Sequence, residues 1–253
     1  MQERYLPIGI QDFEKLRNGN YLYVDKTKYV YELTRTSTPY FLSRPRRFGK
    51  SLLLSTLEYY FLGKKELFKG LSIEKLEEKW EAFPVLKISF GANSYETNER
   101  LRERQNTILN EFEKKFSVKK DSVNPAERLN TIITTAYEQT GKQVAILIDE
   151  YDKPILDALY TKDEEQNRQE LRSFYSPLKD LDKYIRFLFI TGITKVSHVN
   201  IFSGLNQLND ISLNKDFSSL CGISETELDE YFEPEIEALA KEQEMSVSET
   251  KEK

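Results

Sequence analysis

A lysine and a hydroxyl side chain stand side by side in Gly49-Lys50-Ser51, directly after an arginine-rich run at residues 44–48. These three residues match the end of the pattern G-x-x-x-x-G-K-[ST], in which backbone N–H groups surround a phosphate. In such a loop the lysine contacts the β- and γ-phosphate oxygens, and the hydroxyl is a ligand of Mg²⁺. Arg44 replaces the first glycine of the pattern, so the match alone leaves phosphate binding and chance equally open.

We expect this loop and the first residues after it to contact a nucleotide. Within it, Lys50 is a predicted catalytic residue and Ser51 a predicted Mg²⁺ ligand. The arginines at 44, 46 and 47 either add positive charge near the phosphates, bind a nucleic acid or protein partner, or form a solvated basic turn. The predicted nucleotide contacts are Arg46, Arg47, Phe48, Gly49, Lys50, Ser51 and Leu52.

Two adjacent acids, Asp149 and Glu150, follow a continuous apolar run at residues 144–148. At the carboxyl end of a strand, the first acid can hold Mg²⁺ and the second can polarise the water that attacks the γ-phosphate. Asp149 is therefore a predicted metal ligand and Glu150 a predicted catalytic residue. The alternative for Asp149 is a structural cap. Asp152, ahead of Lys153-Pro154, is interpreted as a simple N-cap.

Three further residues are candidates for contact with the γ-phosphate. Thr191, with Thr194 just beyond it, ends the next predicted strand and is a predicted catalytic sensor; an ordinary strand-end threonine is the alternative. Arg172 or Arg186 could supply an arginine finger, in cis or from a neighbouring subunit. The alternative for both arginines is a solvated side chain on the protein surface.

Elements that would position these residues alternate along the chain. The alternation predicts the α/β class, with a doubly wound, mostly parallel sheet flanked by helices, as in P-loop NTPases. The run at 144–148 is expected at the centre of the sheet. Strands are predicted at 40–43, 84–90, 144–148 and 184–191, and helical segments at 51–61, 64–81, 97–116, 126–140 and 163–181.

Three regions are expected along the chain. Residues 1–39 form an N-terminal arm packed on the core, with a short extended piece at 21–24. Residues 40–222 form the core, and residues 223–253 form an acidic helical tail or linker. The strand at 84–90 falls between the loop and the acidic strand in sequence, which favours the P-loop subclass with an inserted strand.

Composition excludes several kinds of site. A formal net charge of −5 gives no global reason to expect nucleic-acid or membrane binding. A single cysteine, Cys221, excludes an intramolecular disulfide and a cysteine metal cluster, and a single histidine, His198, excludes a two-histidine metal site. Because no leader pattern and no long apolar stretch are present, we expect a cytoplasmic protein without a membrane segment.

The sequence resembles the AAA-ATPase-like family at residues 6–13, 23–27, 42–51 and 202–206. This resemblance implies that Arg44 belongs to the family's own form of the loop, that the nucleotide is ATP, and that residues 23–27 lie near the site. Family members often carry a C-terminal PD-(D/E)XK nuclease-like domain. The chain stops where such members continue, so we expect no nuclease site in it.

The leading functional hypothesis is a protein that binds Mg-ATP, either a slow ATPase or an ATP-driven switch. The alternative is a non-hydrolysing regulatory module that contacts nucleic acid or protein through the arginine-rich loop. A small-molecule kinase is less well supported, because the sequence has no convincing acceptor-binding lid. Assembly into a homo-oligomer stays open.

Overall fold

A computed structural model describes residues 4–194, 201–202, 205 and 207–252. Its centre is a five-stranded sheet in the order β2-β3-β4-β1-β5, in which all neighbouring strands run parallel. The strands are β1 Tyr40–Ser43, β2 Val85–Ser89, β3 Val144–Asp149, β4 Ile185–Gly192 and β5 Asn209–Asp210. The predicted α/β class and parallel sheet are confirmed. Strand β5 was not predicted, because two residues are too few to form a recognisable sequence pattern.

The middle strand is β4, which pairs with both β1 and β3, so the expectation that β3 is central was wrong. Both strands are almost completely buried, and an apolar run alone cannot tell the middle strand from its neighbour. On β3, Ile146 and Ile148 face one core cluster, whereas Ala145 and Leu147 face the other. This double burial explains why the strand is apolar at every position.

Seven helices precede the last strand within the described residues. They are α1 Phe13–Asn18, α2 Thr27–Thr34, α3 Lys50–Phe61, α4 Asn98–Lys115, α5 Pro125–Thr140, α6 Lys153–Asp157 and α7 Glu164–Tyr175. Side chains of α2 and α3 pack on one face of the sheet, and those of α4, α5 and α7 pack on the other. Helices therefore cover both faces, as the doubly wound arrangement requires.

Two predicted helical segments are shorter or differently shaped than expected. Residues 64–81 contain two 3-10 turns, Lys65–Phe68 and Ser72–Lys75, because Gly70 adopts a left-handed φ of 80° that an α-helix cannot include. Helix α7 ends at Tyr175 and a 3-10 turn containing Pro177 follows. Proline cannot donate the backbone hydrogen bond that the helix would need there.

The edge of the sheet formed by β2 is covered by cations of α4. Because Pro84 O and Phe90 N bond to β3, the backbone groups of Val85 and Ser89 point toward the open side. Lys115 Nζ donates to Val85 O at 3.0 Å. Arg104 donates to Ser89 O at 2.9 and 3.1 Å. The carbonyls at both ends of this edge are therefore satisfied.

The N-terminal arm packs on α3 and contacts the tail. Phe13 N donates to Ser55 Oγ at 2.9 Å. Asp25 accepts hydrogen bonds from Thr27 and Ser72, so the arm is held against the 3-10 turn at Ser72–Lys75.

The tail contains α8 Glu225–Tyr231, α9 Glu233–Glu242 and α10 Val247–Glu252. The predicted region boundaries stay predictions. No helix among the described residues is long and apolar enough to cross a membrane.

Candidate functional site

The arginine-rich loop connects the carboxyl end of β1 to the first turn of α3. Gly49 precedes the helix with φ 85°, and Arg47 also has a positive φ of 68°. Among the residues that the structure describes, no side chain caps the N-terminus of α3. The first backbone N–H groups of a helix have no intrahelical partners, so this uncapped end can receive an anion.

Lys50 is buried, with 6% of its surface exposed, at the start of α3. Its Nζ donates to Arg44 O at 2.8 Å and to Pro45 O at 2.9 Å, so the ammonium lies inside the curve of the loop. Burial lowers the pKa of Lys50, and the nearby charges of Asp149 and Glu150 act in the opposite direction. The loop thus holds a cation facing the acidic strand end.

Arg44 anchors the loop through backbone contacts. Its guanidinium donates to Ser43 O at 3.1 Å and also to Ser212 O, just beyond β5. Its N–H donates to Gly192 O at 3.3 Å, and Ser43 N donates to Ser212 Oγ at 2.8 Å. The residue that replaces the first glycine is therefore half-buried and structural, whereas Arg46, Arg47 and Phe48 are exposed.

Asp149 and Thr191 meet where β3 and β4 end. Thr191 Oγ1 donates to Asp149 Oδ1 at 2.6 Å, and both residues are buried. Thr191 also lies opposite Leu42 of β1 in the register of the sheet. The predicted sensor is therefore in direct contact with the predicted metal ligand, and β4 places it between the acidic strand and the strand of the loop.

Glu150 follows with a left-handed backbone, φ 54°, which is uncommon for a residue that is not glycine. Burial raises the pKa of its carboxyl group, and the charge of Asp149 raises it further, while Lys50 lowers it. A Cβ atom on Gly91 would lie 3.2 Å from Glu150 Oε2. Such backbone strain is concentrated at functional sites, where the surrounding structure maintains it.

Asp152 is not a simple N-cap, which corrects the sequence interpretation. It precedes α6, but its side chain makes no capping hydrogen bond, because its own φ of −89° and ψ of −12° are already helical. Its Oδ2 instead accepts from Ile193 N at 2.9 Å, Thr194 N at 2.7 Å and Thr194 Oγ1 at 3.0 Å. The carboxylate therefore connects the acidic turn to the end of β4.

The arginine-finger candidates lie elsewhere. Arg186 donates to Thr34 O at 2.7 Å and to Thr36 O at 3.2 Å. It lies near the amino end of β4, whereas Thr191 lies near the carboxyl end, so the expectation that Arg186 acts as a finger within this chain was wrong. Arg172 is exposed on α7. A contribution of either residue to a neighbouring subunit stays a prediction. His198, Ser203, Gly204 and Asn206 lie outside the described residues.

The segment that leads into the tail also contacts the loop. Gly222 N donates to Phe48 O at 3.0 Å. Burial raises the pKa of the Cys221 thiol to about 11, and the positive charges of Arg44, Lys50 and Lys26 act against this rise. Sequence reasoning missed this contact, because only the fold brings residues 221–222 to the loop. Lys26 belongs to the arm segment expected near the site.

Comparison with known proteins identifies the class of protein. The family model for Predicted AAA-ATPase matches residues 7–202, and the chain belongs to this family. Family membership indicates nucleotide binding.

The chain is also 43% identical over 242 residues to a protein of Azotobacter chroococcum mcd 1, described as an uncharacterized protein in the vnfD 5' region. The alignment covers 94% of this chain and 47% of the relative. The chain thus spans about half the length of the curated relative that it matches. No solved structure matches the chain significantly.

Proposed function

We propose that this chain is a P-loop nucleoside triphosphatase that binds Mg-ATP and hydrolyses it slowly, as an ATPase or an ATP-driven switch. One observation carries the proposal. The cationic loop after β1 and the Asp149–Thr191 pair lie at the same carboxyl edge of the sheet, where β4, which carries Thr191, pairs with β1 on one side and with β3 on the other. Ligands of open α/β sheets bind at this edge.

The loop offers several groups for a triphosphate. The uncapped N–H groups at the start of α3 are the anion donors. Lys50 can exchange its hydrogen bonds to Arg44 O and Pro45 O for bonds to phosphate oxygens without moving to another part of the protein. Arg46 and Arg47, which are exposed, would add positive charge at the rim.

The chemistry of the oxygen donors fits Mg²⁺. Ser51 supplies a hydroxyl and Asp149 a buried carboxylate, and Mg²⁺ prefers hard oxygen ligands. The described residues contain no group of three or more His, Cys, Asp or Glu side chains that could hold a metal by itself. Mg²⁺ at phosphate sites commonly takes one or two protein ligands, with phosphate and water completing its shell. Bound there, it would supply charge neutralisation of the phosphates.

Glu150 supports hydrolysis. Its burial and its proximity to Asp149 raise the pKa of its carboxyl group, which makes the carboxylate a stronger base. The positive charge of Lys50 acts against this rise. In the proposal, Glu150 polarises the attacking water, while Thr191, which donates to Asp149, is the sensor of the γ-phosphate. These are the roles predicted for the two residues from the sequence.

Calorimetry and phosphate release together test the proposal. Wild type, Lys50→Ala, Glu150→Gln and the control Lys64→Ala, an exposed lysine beyond α3, are titrated with ATP and Mg²⁺ at moderate salt. We expect Lys50→Ala to lose binding, since its charge is the main phosphate contact. We expect Glu150→Gln to bind ATP and to lose about 100-fold or more in turnover.

Two results would contradict the proposal. Wild type that binds no Mg-ATP would leave the non-hydrolysing partner-binding module as the better explanation. Equal phosphate release by wild type and Glu150→Gln, above that of Lys50→Ala, would show that Glu150 does not polarise the water. Lys64→Ala is expected to match wild type in both assays.

A further inference from the structure

The backbone segment at residues 191–194 is held from two sides. From the loop side, Arg44 N donates to Gly192 O at 3.3 Å, and Ser43 Oγ donates to Ile193 O at 2.8 Å. From the side of the acidic turn, Tyr151 N donates to Thr191 O at 3.1 Å, and Tyr151 OH donates to Thr194 O at 3.1 Å. The segment therefore connects the two halves of the proposed site.

Asp152 makes the most concentrated contact with this segment. It is fully buried, and one carboxylate oxygen accepts three hydrogen bonds from Ile193 and Thr194. The other oxygen, Oδ1, is buried and has no hydrogen-bond partner among the described residues. A buried carboxylate is costly unless donors compensate it, so this arrangement is stable only while the segment keeps its N–H groups on Asp152.

Close packing restricts the same segment further. A Cβ atom on Gly192 would lie 2.4 Å from the Tyr151 ring and 3.0 Å from Asp152 Cγ. No side chain fits there, so the backbone at Gly192 lies directly against the acidic turn. A displacement of the turn would therefore displace Gly192 and its neighbour Thr191.

We propose that Asp152 is a positioning residue for turnover. By holding Ile193 and Thr194, it keeps the Thr191 hydroxyl hydrogen-bonded to Asp149 and the Ile193 carbonyl hydrogen-bonded to Ser43. The acidic pair and the phosphate loop therefore keep a fixed position relative to each other. Asp152 itself acts through these neighbours and not on the nucleotide. The inference rests on the proposed ATPase function, since it concerns the alignment of that site.

Asp152→Ala is the sharpest test, because it removes the oxygen that accepts all three hydrogen bonds, whereas Asp152→Asn keeps one acceptor oxygen and should restore part of the activity. Loss of a residue that orients a reactive group commonly costs about 10- to 100-fold in activity. We expect a fall of that size in turnover, with the Kd for Mg-ATP within about threefold of wild type, because phosphate affinity depends mainly on Lys50 and the loop. Thr194→Val, which removes one of the three donors, is expected to show a smaller fall.

The control is Asp157→Ala in α6, the short helix that Asp152 precedes. Asp157 also accepts from a backbone N–H, that of Tyr95 at 3.1 Å, and from Lys153 Nζ at 2.6 Å, but neither partner belongs to residues 191–194. We expect this variant to keep the turnover and the Kd of wild type. Melting temperatures of all variants are measured alongside, so that general destabilisation is recognised.

Each other result contradicts a different statement. If Asp152→Ala and Thr194→Val turn over as fast as wild type, the positioning role is wrong although the ATPase stands. A parallel loss of affinity, turnover and melting temperature in both variants would show a purely structural role. Should wild-type phosphate release not exceed that of Lys50→Ala, the ATPase proposal itself fails and the inference fails with it.

Discussion

Glu150 combines two features at the scale of a single residue, a left-handed backbone and a raised pKa. Both features have a local cause. Glu150 directly follows the end of β3, and its carboxyl group lies against Gly91, just beyond the end of β2. A site that hydrolyses a triphosphate needs this carboxylate ionised, whereas its burial favours the neutral form. Activity and stability therefore depend on pH in opposite directions at this one residue.

We predict that turnover falls as the pH decreases through the Glu150 pKa, which lies above the ordinary value of 4.5. A raised pKa means that the folded protein binds this proton more tightly than the unfolded chain does. The stability gained from it is complete below the unfolded pKa and is lost as the pH rises through the folded one. Glu150→Gln should therefore melt at a higher temperature than wild type near neutral pH.

Melting curves and phosphate release across pH check both directions. The stability difference between the two proteins should vanish in acid, below the ordinary glutamate pKa. A Glu150→Gln protein that is less stable than wild type at neutral pH would show that the carboxylate is favoured in the folded state. In that case the acidic limb of the activity profile must come from another group.

Where a motif defines single residues, their proximity was predictable, whereas their roles stay predictions. Lys50, Ser51, Asp149 and Glu150 carry a recognisable pattern, and the structure brings Lys50, Asp149 and Glu150 within electrostatic range of one another. The contacts of Asp152 and Arg44 were not predictable, because their partners are distant in sequence: Arg44 contacts Ser212, 168 positions away. A capping pattern was a sufficient local explanation for Asp152, and only the tertiary contact shows otherwise.

Among the elements, α4 and α5 are joined by a buried ion pair. Arg128 donates to both carboxylate oxygens of Glu113 at 2.6 and 2.8 Å, with side-chain exposures of 2% and 9%. Asn106 and Asn110 accept from the same guanidinium at 2.6 and 2.8 Å. Every partner lies on α4, so this arginine fixes the position of α5 against it.

We predict that Arg128→Met destabilises the protein by about 3–5 kcal/mol, because it leaves the Glu113 carboxylate buried without its partner. Adding Glu113→Leu should restore much of this loss, since the unpaired charge is then removed as well. Urea unfolding measures both variants. Lys28→Ala is the control: Lys28 pairs with Glu32 on the surface of α2, the two side chains are 67% and 39% exposed, and the change should cost less than about 1 kcal/mol.

A double variant that is less stable than Arg128→Met alone would show that packing, and not the unpaired charge, dominates this contact.

At the scale of the elements, the sequence predicted which helices and strands exist better than it predicted their shape. The strands were recognisable as short apolar runs between Gly and Pro. The segment at 64–81 was misread, because its charge resembles that of a surface helix while Leu67, Phe68 and Ile73 are buried in turns.

At the scale of the whole molecule, two ion pairs within the described part of the chain connect the N-terminal arm to the tail. Lys26 of the arm pairs with Glu227 of α8, and Arg4 pairs with Glu235 of α9 at 2.7 Å. Glu227 also accepts from Ser224 N and completes a capping box at the start of α8. Since Gly222 contacts the loop just before this helix, the arm, the tail and the site form one connected unit.

We predict that acid loosens this connection. Burial acts to raise the pKa of Glu227, but hydrogen bonds from Lys26 and Ser224 lower it below its ordinary value of 4.5. A lowered pKa contributes stability above the unfolded value, and this contribution is lost as the pH falls through the folded value. At neutral pH, Glu227→Gln should speed amide exchange in α8 by about tenfold or more, because both side chains of the pair are mostly buried, with 10% and 17% exposed, and Lys26 loses its anionic partner.

Hydrogen exchange followed by mass spectrometry measures this change, with Glu230→Gln, an exposed acid on the same helix, as control. Equal exchange in all three proteins would show that packing alone holds the tail. A faster rate confined to Glu227→Gln at neutral pH, converging with wild type in acid, is the expected pattern.

The cations of α4 that cover β2 determine where the sheet can grow. A new strand beside β2 would have to displace Lys115 from Val85 O and Arg104 from Ser89 O, so that side is closed to strand addition. The opposite side ends in β5, whose two residues are exposed. Immediately beyond β5, Ser212 holds Ser43 and Arg44. The two edges of the sheet therefore differ: helix cations cover one of them, and at the other the edge strand continues into a segment that also holds the arginine-rich loop.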